Sequence, residues 1–296
     1  MRQPKRGVHF GVDMDEYRAW DAISQSLLKR MSVSPRHYAK TPVESTPSSA
    51  LRIGSLVHCA TLEPDALSER YVVQPRFERD DENVTVGGTP TLSKVTKYYK
   101  RRVQEFREAN IGRELVSQDE FDRTQAVVYS LAEDHRGRDL LSREGKTEVS
   151  LVWEDPLTGL PCKARIDKMF GSSILDVKTT RSLRDFPGQC AKLFYHVQAA
   201  HYITGLREVG GIDVDDAWIL AVENDKPHCV HAAVLSREAI NRGEELRRSW
   251  LRRVVECTAL GEWPGPELPD VWELPDWAMV DDGPLTIKFG NEVMEV

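Results

Sequence analysis

The spacing of apolar residues has a helical period along the first half of the chain. Apolar positions that recur every three or four residues predict a helix from Ser24 to Met31, capped by Ser24 and ended at Ser34-Pro35, and another from Ala50 to Leu62. A basic helix follows from Lys97 to Arg107. The next helix begins near Ser117, with inward positions at Phe121, Ala126 and Leu131. Between them, the polar stretch 76–91 predicts an exposed loop.

At Glu148 the period changes from helical to alternating. Val149, Leu151 and Trp153 form the apolar face of a first predicted strand, and the segment 155–159 (DPLTG) has strong turn chemistry, so a hairpin follows. On the return strand one face holds Cys162, Ala164 and Ile166, and the other holds Lys163, Arg165 and Asp167. A further turn at 171–173 leads into a strand at 174–179, where Asp176 and Lys178 share one face.

The last third alternates helices and strands. A helix is predicted from Gln189 to Leu206, with two strands at 217–222 and 229–235 and a long helix from Ser236 to about Gly261. The first of these helices has Leu193, Val197 and Ala200 inward and Tyr195, Gln198 and Tyr202 on another face; the long helix stacks Ile240, Gly243, Leu246, Trp250, Val254 and Cys257.

Composition fits a water-soluble enzyme. Hydrophobic residues make up 40% and charged residues 29% of 296 residues, and we find no apolar run of the roughly 20 residues that span a bilayer. We therefore expect a cytoplasmic protein with no membrane partner. The 5 cysteines are scattered without a CxxC pair, which argues against an iron-sulfur cluster, and we expect buried thiols.

Charge is distributed unevenly along the chain. The net charge is -7, but the segment 262–296 holds nine acids and one base, a net of -8, so residues 1–261 carry -7 minus -8, or +1. We divide the chain into an N-terminal segment (1–49), a catalytic core (50–261) with a helical insertion near 97–140, and an acidic, tryptophan-containing tail (262–296).

Two carboxylates on adjacent strands provide the candidate chemistry. Asp167 and Asp176 are predicted to face one point, where they repel each other when ionised and so favour a shared divalent cation, Mg²⁺ or Mn²⁺. Such an ion activates water for phosphodiester hydrolysis. Lys178 lies two residues beyond Asp176 on the same face, near enough to orient the water or to stabilise charge in the transition state.

The order Asp167, then 176–180 (DVKTT), then Gln198 and Tyr202 on a helix resembles the PD-(D/E)XK nucleases of the RecB and lambda-exonuclease type. Upstream, 24–29 (SQSLLK), 34–38 (SPRHY) and 52–58 (RIGSLVH) resemble the RecE-type (exonuclease VIII-like) exodeoxyribonucleases and their phage relatives. The similarity covers most of residues 15–280. It departs from the signature at Ile166, where the nominal proline is missing.

The resemblance implies further expectations. The fold is a restriction-endonuclease-like α/β core, with a central mixed sheet flanked by helices. His58 joins Asp167 and Asp176 around the metal, Gln198 helps to position the water with Tyr202 in support, and Glu148 is a weaker candidate for an outer contact. The enzyme digests linear double-stranded DNA from its ends, 5′ to 3′, in phage-type recombination beside a single-strand annealing protein. With only +1 on residues 1–261, processivity needs a tether, which we expect to be a ring of three or four identical subunits.

Alternatives remain open at this stage. Asp176 and Lys178 could form a surface ion pair, and His58, Gln198 and Tyr202 could be core residues. The enzyme could instead be a structure-specific or single-strand endonuclease, or a non-catalytic DNA-binding recombination subunit. Two basic sets could contact DNA or be solvated helix faces. They are Lys97, Lys100, Arg101 and Arg102, and Arg247, Arg248, Arg252 and Arg253.

Overall fold

A computed structural model describes residues 4–41, 49–77, 97–274, 286–289 and 292–295. The side chains at 49, 50, 97 and 98 and those beyond 274 are not described. Most of the predicted loop at 76–91 lies outside these ranges. None of the helices within them combines the length and apolar character needed to cross a bilayer.

The described helices surround a central sheet. In chain order they are α1 (Met14–Ala19), α2 (Gln25–Leu28), α3 (Pro35–Lys40), α4 (Ser49–Leu62), α5 (Leu67–Arg70), α6 (Lys97–Ala109), α7 (Gln118–Glu133), α8 (His135–Ser142), α9 (Phe186–Lys192), α10 (Tyr195–Gly210) and α11 (Arg237–Leu260). Short 3₁₀ turns occupy Lys29–Ser32 and Pro64–Ala66.

The strands in the same ranges form one large sheet and two short pairs. They are β1 (Gly7–His9), β2 (Tyr71–Val73), β3 (Glu114–Val116), β4 (Lys146–Glu154), β5 (Pro161–Phe170), β6 (Ser173–Thr180), β7 (Asp216–Glu223), β8 (Val230–Val234), β9 (Thr286–Phe289) and β10 (Glu292–Glu295). The large sheet has the order β1-β4-β5-β6-β7-β8, antiparallel except for the parallel pair β6 and β7. This mixed sheet confirms the predicted fold class.

Helices cover both faces of the sheet. On one face α10 packs against the apolar side of β4 and β5, and α11 packs on α10; their shared core includes Trp153, Val197 and Leu251. On the other face α4 and α7 pack against β6 and β7 through residues such as Val57 and Leu220. Because both faces are covered, residues 149–153 are all buried, although their sequence predicted one buried face.

Local signals fixed most element ends as predicted. Ser24 caps α2 by accepting from the Leu27 amide, Ser117 forms a capping box with Glu120, and Ser236 caps α11. Gly261 ends α11 in the left-handed conformation. In the β4-β5 turn, the Asp155 carboxylate accepts from two backbone amides.

The single helix predicted from Gln189 to Leu206 is wrong: it is two helices. α9 and α10 meet at Phe194, whose φ of 61° is left-handed and breaks the helix. Left-handed backbone costs a non-glycine residue about 1–2 kcal/mol, which packing against the Trp250 ring, 5.1 Å away, helps to offset. The break also turns Leu193 outward, to 37% exposure, although its spacing predicted an inward side chain.

Two further predictions need correction. The buried face of α7 is Glu120, Thr124, Val127 and Leu131, so Phe121 and Ala126 lie at its margin rather than at its centre. The capping box places the Glu120 side chain inward, where it also binds Arg52, so the buried face of α7 is centred one position away from the predicted one.

Cys229 is exposed and Cys190 is half-buried, so only three of the cysteines are buried thiols.

The N-terminal residues extend the sheet, which periodicity did not predict. β1 pairs with β4, and α1 lies over β5 through two buried cations. The Lys163 ammonium donates to three carbonyls at the end of α1, and the Arg165 guanidinium donates to the Val12 carbonyl at 2.7 Å. Tyr17 lies between these two cations. Lys163 and Arg165 therefore hold the N-terminal segment against the sheet.

Glycines allow close packing around α10. A Cβ at Gly205 would lie 2.7 Å from the Trp153 ring, and one at Gly243 of α11 would lie 2.2 Å from the His196 carbonyl oxygen. Both distances are shorter than real Cβ contacts. Gly243 therefore sets how closely α11 approaches the first turn of α10.

Candidate metal centre

Helix α4 brings His58 to the middle of strand β6. Gly54, one turn earlier, also faces β6: a Cβ there would lie 3.6 Å from the Thr179 hydroxyl, an ordinary van der Waals distance. The His58 Nε2 is 2.7 Å from the Val177 carbonyl oxygen and 3.4 Å from Asp167 Oδ2. Because a carbonyl only accepts, Nε2 donates this hydrogen bond to the Val177 carbonyl.

Asp167 is the buried carboxylate at the centre of the site. Its Oδ2 accepts from the Val177 backbone amide at 2.7 Å, which fixes the carboxylate between β5 and β6. Burial raises the pKa of Asp167 to about 7; the nearby His58 opposes this rise, while the Asp176 carboxylate adds to it. A buried carboxylate with an adjacent second carboxylate has a strong electrostatic preference for a bound cation.

Asp176 and Lys178 form an ion pair on the next strand. The Gln198 amide donates to Asp176 at 3.3 Å and to the Tyr202 hydroxyl at 2.6 Å. Burial alone would lower the pKa of Lys178, but the Asp176 and Asp167 carboxylates outweigh it and raise that pKa. The Lys178 ammonium is therefore charged at neutral pH, and it lies 4.9 Å from the centre of the Tyr195 ring.

Glu148 enters the site through an unusual backbone conformation. It lies on β4 opposite Asp167, between the paired positions Thr147 and Val149, and its φ of 52° is left-handed. A left-handed non-glycine residue stores about 1–3 kcal/mol of strain, and such strain clusters at functional sites. The Glu148 carboxylate accepts from Arg165, the cation that also binds Val12.

The structure groups a slightly different ligand set from the expected one. One ligand atom each from His58, Glu148 and Asp167 lie within 4.8 Å of one another, a spacing that a single ion can bridge. Asp176 borders this group and is held by Lys178 and Gln198. The metal ligands named from the sequence were His58, Asp167 and Asp176, and this set remains a prediction. The carboxylate oxygens of this set suit Mg²⁺ or Mn²⁺, and the imidazole nitrogen is a donor that suits transition metals.

The predicted DNA-contacting cations have other neighbours in the structure. Lys100 is exposed, Arg101 pairs with Glu105 at 3.6 Å, and the Arg102 guanidinium lies 5.5 Å from the Phe77 ring. None of these contacts involves the centre. The side chain of Lys97 lies outside the description. On α11, Arg248 and Arg253 are bound by glutamates of the same helix, and Arg252 is exposed.

Arg247 is not on a solvated helix face as its spacing suggested. Its side chain is buried between Asp155 and Glu244, with the Asp155 oxygen at 2.6 Å. Trp250 is buried, as predicted.

Arg165 and Tyr195 were given no role from the sequence, although both contact site residues. A signal for each was present: Arg165 shares the predicted strand face of Asp167, and Tyr195 shares the predicted helix face of Gln198. No feature of the sequence indicated the left-handed conformation of Glu148, because the alternation of apolar and polar residues in a strand does not reveal which residue has a positive φ.

Comparison with known proteins identifies the family and the fold. The family described as "PDDEXK-like domain of unknown function (DUF3799)" matches residues 24–268. A crystal structure from Eubacterium rectale, named "Putative exonuclease", has a TM-score of 0.58 at 14% identity, covering 92% of this chain and 98% of that one. At that identity the likeness shows the fold alone. The crystal structure of SSO0001 has 13% identity and a TM-score of 0.28, over 82% of this chain and 88% of that one, and carries no argument. No curated protein matches the chain.

Proposed function

This chain belongs to the DUF3799 family of PDDEXK-like domains, and from that premise we propose that it is a metal-dependent exodeoxyribonuclease. The substrate is linear double-stranded DNA, digested from its ends in the 5′ to 3′ direction during phage-type recombination. A single observation carries the proposal: the buried carboxylates Asp167 and Asp176 lie beside one fixed lysine, Lys178, on adjacent strands.

The donors at this centre fit a divalent cation. His58, Glu148 and Asp167 would hold it, with Asp176 at its border, because their ligand atoms are already grouped and Asp167 is buried. When bound, such an ion lowers the pKa of a coordinated water and neutralises charge on the phosphate. In the present arrangement His58 Nε2 donates to the Val177 carbonyl, so ligation through Nε2 requires His58 to give up that hydrogen bond.

The protein residues orient and neutralise the reacting groups. Lys178 stays protonated and places a fixed positive charge at the point where phosphate oxygens gain charge. The Gln198 amide holds Asp176, and Tyr202 in turn holds Gln198, so the carboxylate is kept in one orientation. Arg165 does the same for Glu148. Fixed dipoles and charges need no reorganisation during the reaction, which is why such a buried network favours catalysis.

Other observations support the finer parts of this proposal without testing them. The resemblance to RecE-type enzymes at 24–29, 34–38 and 52–58 supports digestion from a 5′ end and cooperation with an annealing protein. The similar structure from Eubacterium rectale is named "Putative exonuclease". The near-neutral charge of residues 1–261 supports a closed ring as the processivity device.

The deciding experiment compares linear and covalently closed circular duplexes, each with and without Mg²⁺. We expect 5′-labelled linear DNA to release label only with Mg²⁺, while the circle stays intact. Cleavage of the circle would assign an endonuclease instead. Binding of linear DNA without cleavage, under Mg²⁺ and Mn²⁺ alike, would assign a non-catalytic subunit. Asp176→Asn is the matched control, since it keeps the size of the side chain and removes its charge.

A further inference from the structure

Lys29, at the end of α2, is a half-buried lysine without an anionic partner. In the part of the chain that the structure describes, its ammonium forms neither an ion pair nor a hydrogen bond. The next residue differs, because the Arg30 guanidinium donates to the Thr41 carbonyl at 2.6 Å. Burial lowers the pKa of Lys29, the cations Lys178 and Arg30 lower it further, and no carboxylate opposes them. Cations removed from water are usually paired, so this one is suited to an anion from outside the chain.

The fold places Lys29 beside the first turn of α10. The Lys29 amide donates to the Gln25 carbonyl, so the two residues lie one helical turn apart on the same face of α2. From that face the Gln25 side chain donates to the Phe194 carbonyl at 3.3 Å. Tyr195 follows Phe194, and the centre of its ring is 4.9 Å from the Lys178 ammonium. Lys29 and Lys178 therefore both lie close to the amino end of α10.

The two lysines differ in how their charge is used. Lys178 is paired with Asp176, so its charge is partly neutralised within the centre. Lys29 has no such partner among the described residues, so its charge is available to an incoming group. A DNA strand carries one negative charge on each nucleotide. A strand whose scissile phosphate lies at the metal centre therefore brings further phosphates to the surroundings of the centre, where Lys29 is located.

We propose that Lys29 binds a phosphate next to the scissile one, on the DNA strand that the enzyme digests. The proposal rests on the nuclease function proposed above and adds a substrate contact that the cations predicted from the sequence did not include. Lys29 can donate to a phosphate oxygen without first breaking an ion pair. Because this phosphate does not react, the contact is equally strong in the bound substrate and in the transition state. It therefore strengthens DNA binding and leaves the rate of the chemical step unchanged.

The test is the affinity for a short linear duplex in Ca²⁺, measured at several salt concentrations. We expect Lys29→Gln to weaken binding about tenfold, as for one hydrogen bond to a charged group. The slope of log affinity against log salt concentration should fall by about 1, because one phosphate contact is lost. Lys29→Arg keeps the charge and should keep the wild-type slope. Lys226→Gln is the matched control, since Lys226 is exposed on the turn between β7 and β8, and it should change neither quantity.

Methylphosphonates, which are uncharged, identify the phosphate when they replace one position of the strand at a time. At the contacted position the replacement should weaken binding by the wild type but not by Lys29→Gln, which already lacks the contact. A wild-type salt slope in Lys29→Gln would overturn the proposal, as would effects that add at every position. These measurements need no cleavage. A wild type that shows the contact but digests no DNA in Mg²⁺ would contradict the proposed function alone, and a wild type that binds no DNA would overturn both.

Discussion

Replacing Lys178 by alanine should abolish most of the catalysis without abolishing DNA binding. The Lys178 side chain is 15% exposed, so an effective dielectric constant of about 20 applies to its interaction with a phosphate oxygen. At about 4 Å, one unit of charge gained on that oxygen is stabilised by about 4 kcal/mol. Each 1.36 kcal/mol is about a tenfold change in rate, so Lys178→Ala should lower kcat about a thousandfold.

The assay is single-turnover cleavage of end-labelled linear duplex in Mg²⁺, with DNA affinity measured separately in Ca²⁺. Lys192→Ala is the matched control, because Lys192 is an exposed lysine on α9. Removing Lys178 leaves Asp176 as an uncompensated buried charge, which destabilises the fold. The Tm of Lys178→Ala, compared with that of Lys178→Ala combined with Asp176→Asn, measures this destabilisation, and the rate comparison uses the single variant alone. A folded Lys178→Ala enzyme within tenfold of the wild-type rate would refute the assigned role.

Three further outcomes are expected. His58→Ala and Glu148→Gln should each weaken Mn²⁺ binding in titration calorimetry by at least tenfold, and unchanged affinity for either would remove that residue from the ligand set. Burial raises the pKa of Asp167 from an unfolded value of about 3.9 to about 7, so its contribution to metal-free stability is present below about pH 4 and is lost as the pH rises through 7. Asp167→Asn should therefore raise the Tm of the metal-free protein at pH 8 but not at pH 4; an equal shift at both would contradict this. Burial lowers the pKa of His201 to about 4, so stability should fall by up to about 3 kcal/mol between pH 6.5 and 4. In urea titrations His201→Gln should flatten that pH dependence, and an unaltered slope would count against it.

The secondary structure around the centre was predictable because its signals are local. Alternation from Val149 to Asp167 and the turn at Asp155 determine a hairpin, and Asp176 and Lys178 are two residues apart on the next strand. Long helices with serine caps were equally clear. The features that depend on distant residues were not predictable. β1 becomes a strand only by pairing with β4.

The same division applies to the site. The residue types in the motif predicted which side chains meet, and the structure brings His58, Asp167, Asp176 and Lys178 together. Which atoms could share one ion depends on backbone geometry at Glu148, where a left-handed residue turns a carboxylate into the site. The spacing of apolar residues does not predict such a conformation. The break at Phe194 was missed for a related reason, since neither glycine nor proline marks it.

Gly243 has a consequence for anyone mapping this enzyme by random mutagenesis. A methyl group there would lie 2.2 Å from the His196 carbonyl oxygen, so one of the two helices would have to shift, and a shift of α10 by more than about 0.5 Å exceeds the tolerance within which a catalytic arrangement still works. Gln198 lies two residues after His196 on α10, and its amide donates to Asp176 at 3.3 Å, which is already a long hydrogen bond. We therefore expect Gly243→Ala to lower nuclease activity more than it lowers the fraction of folded protein. A screen for inactive clones would place this glycine among the catalytic residues, although it has no chemistry of its own.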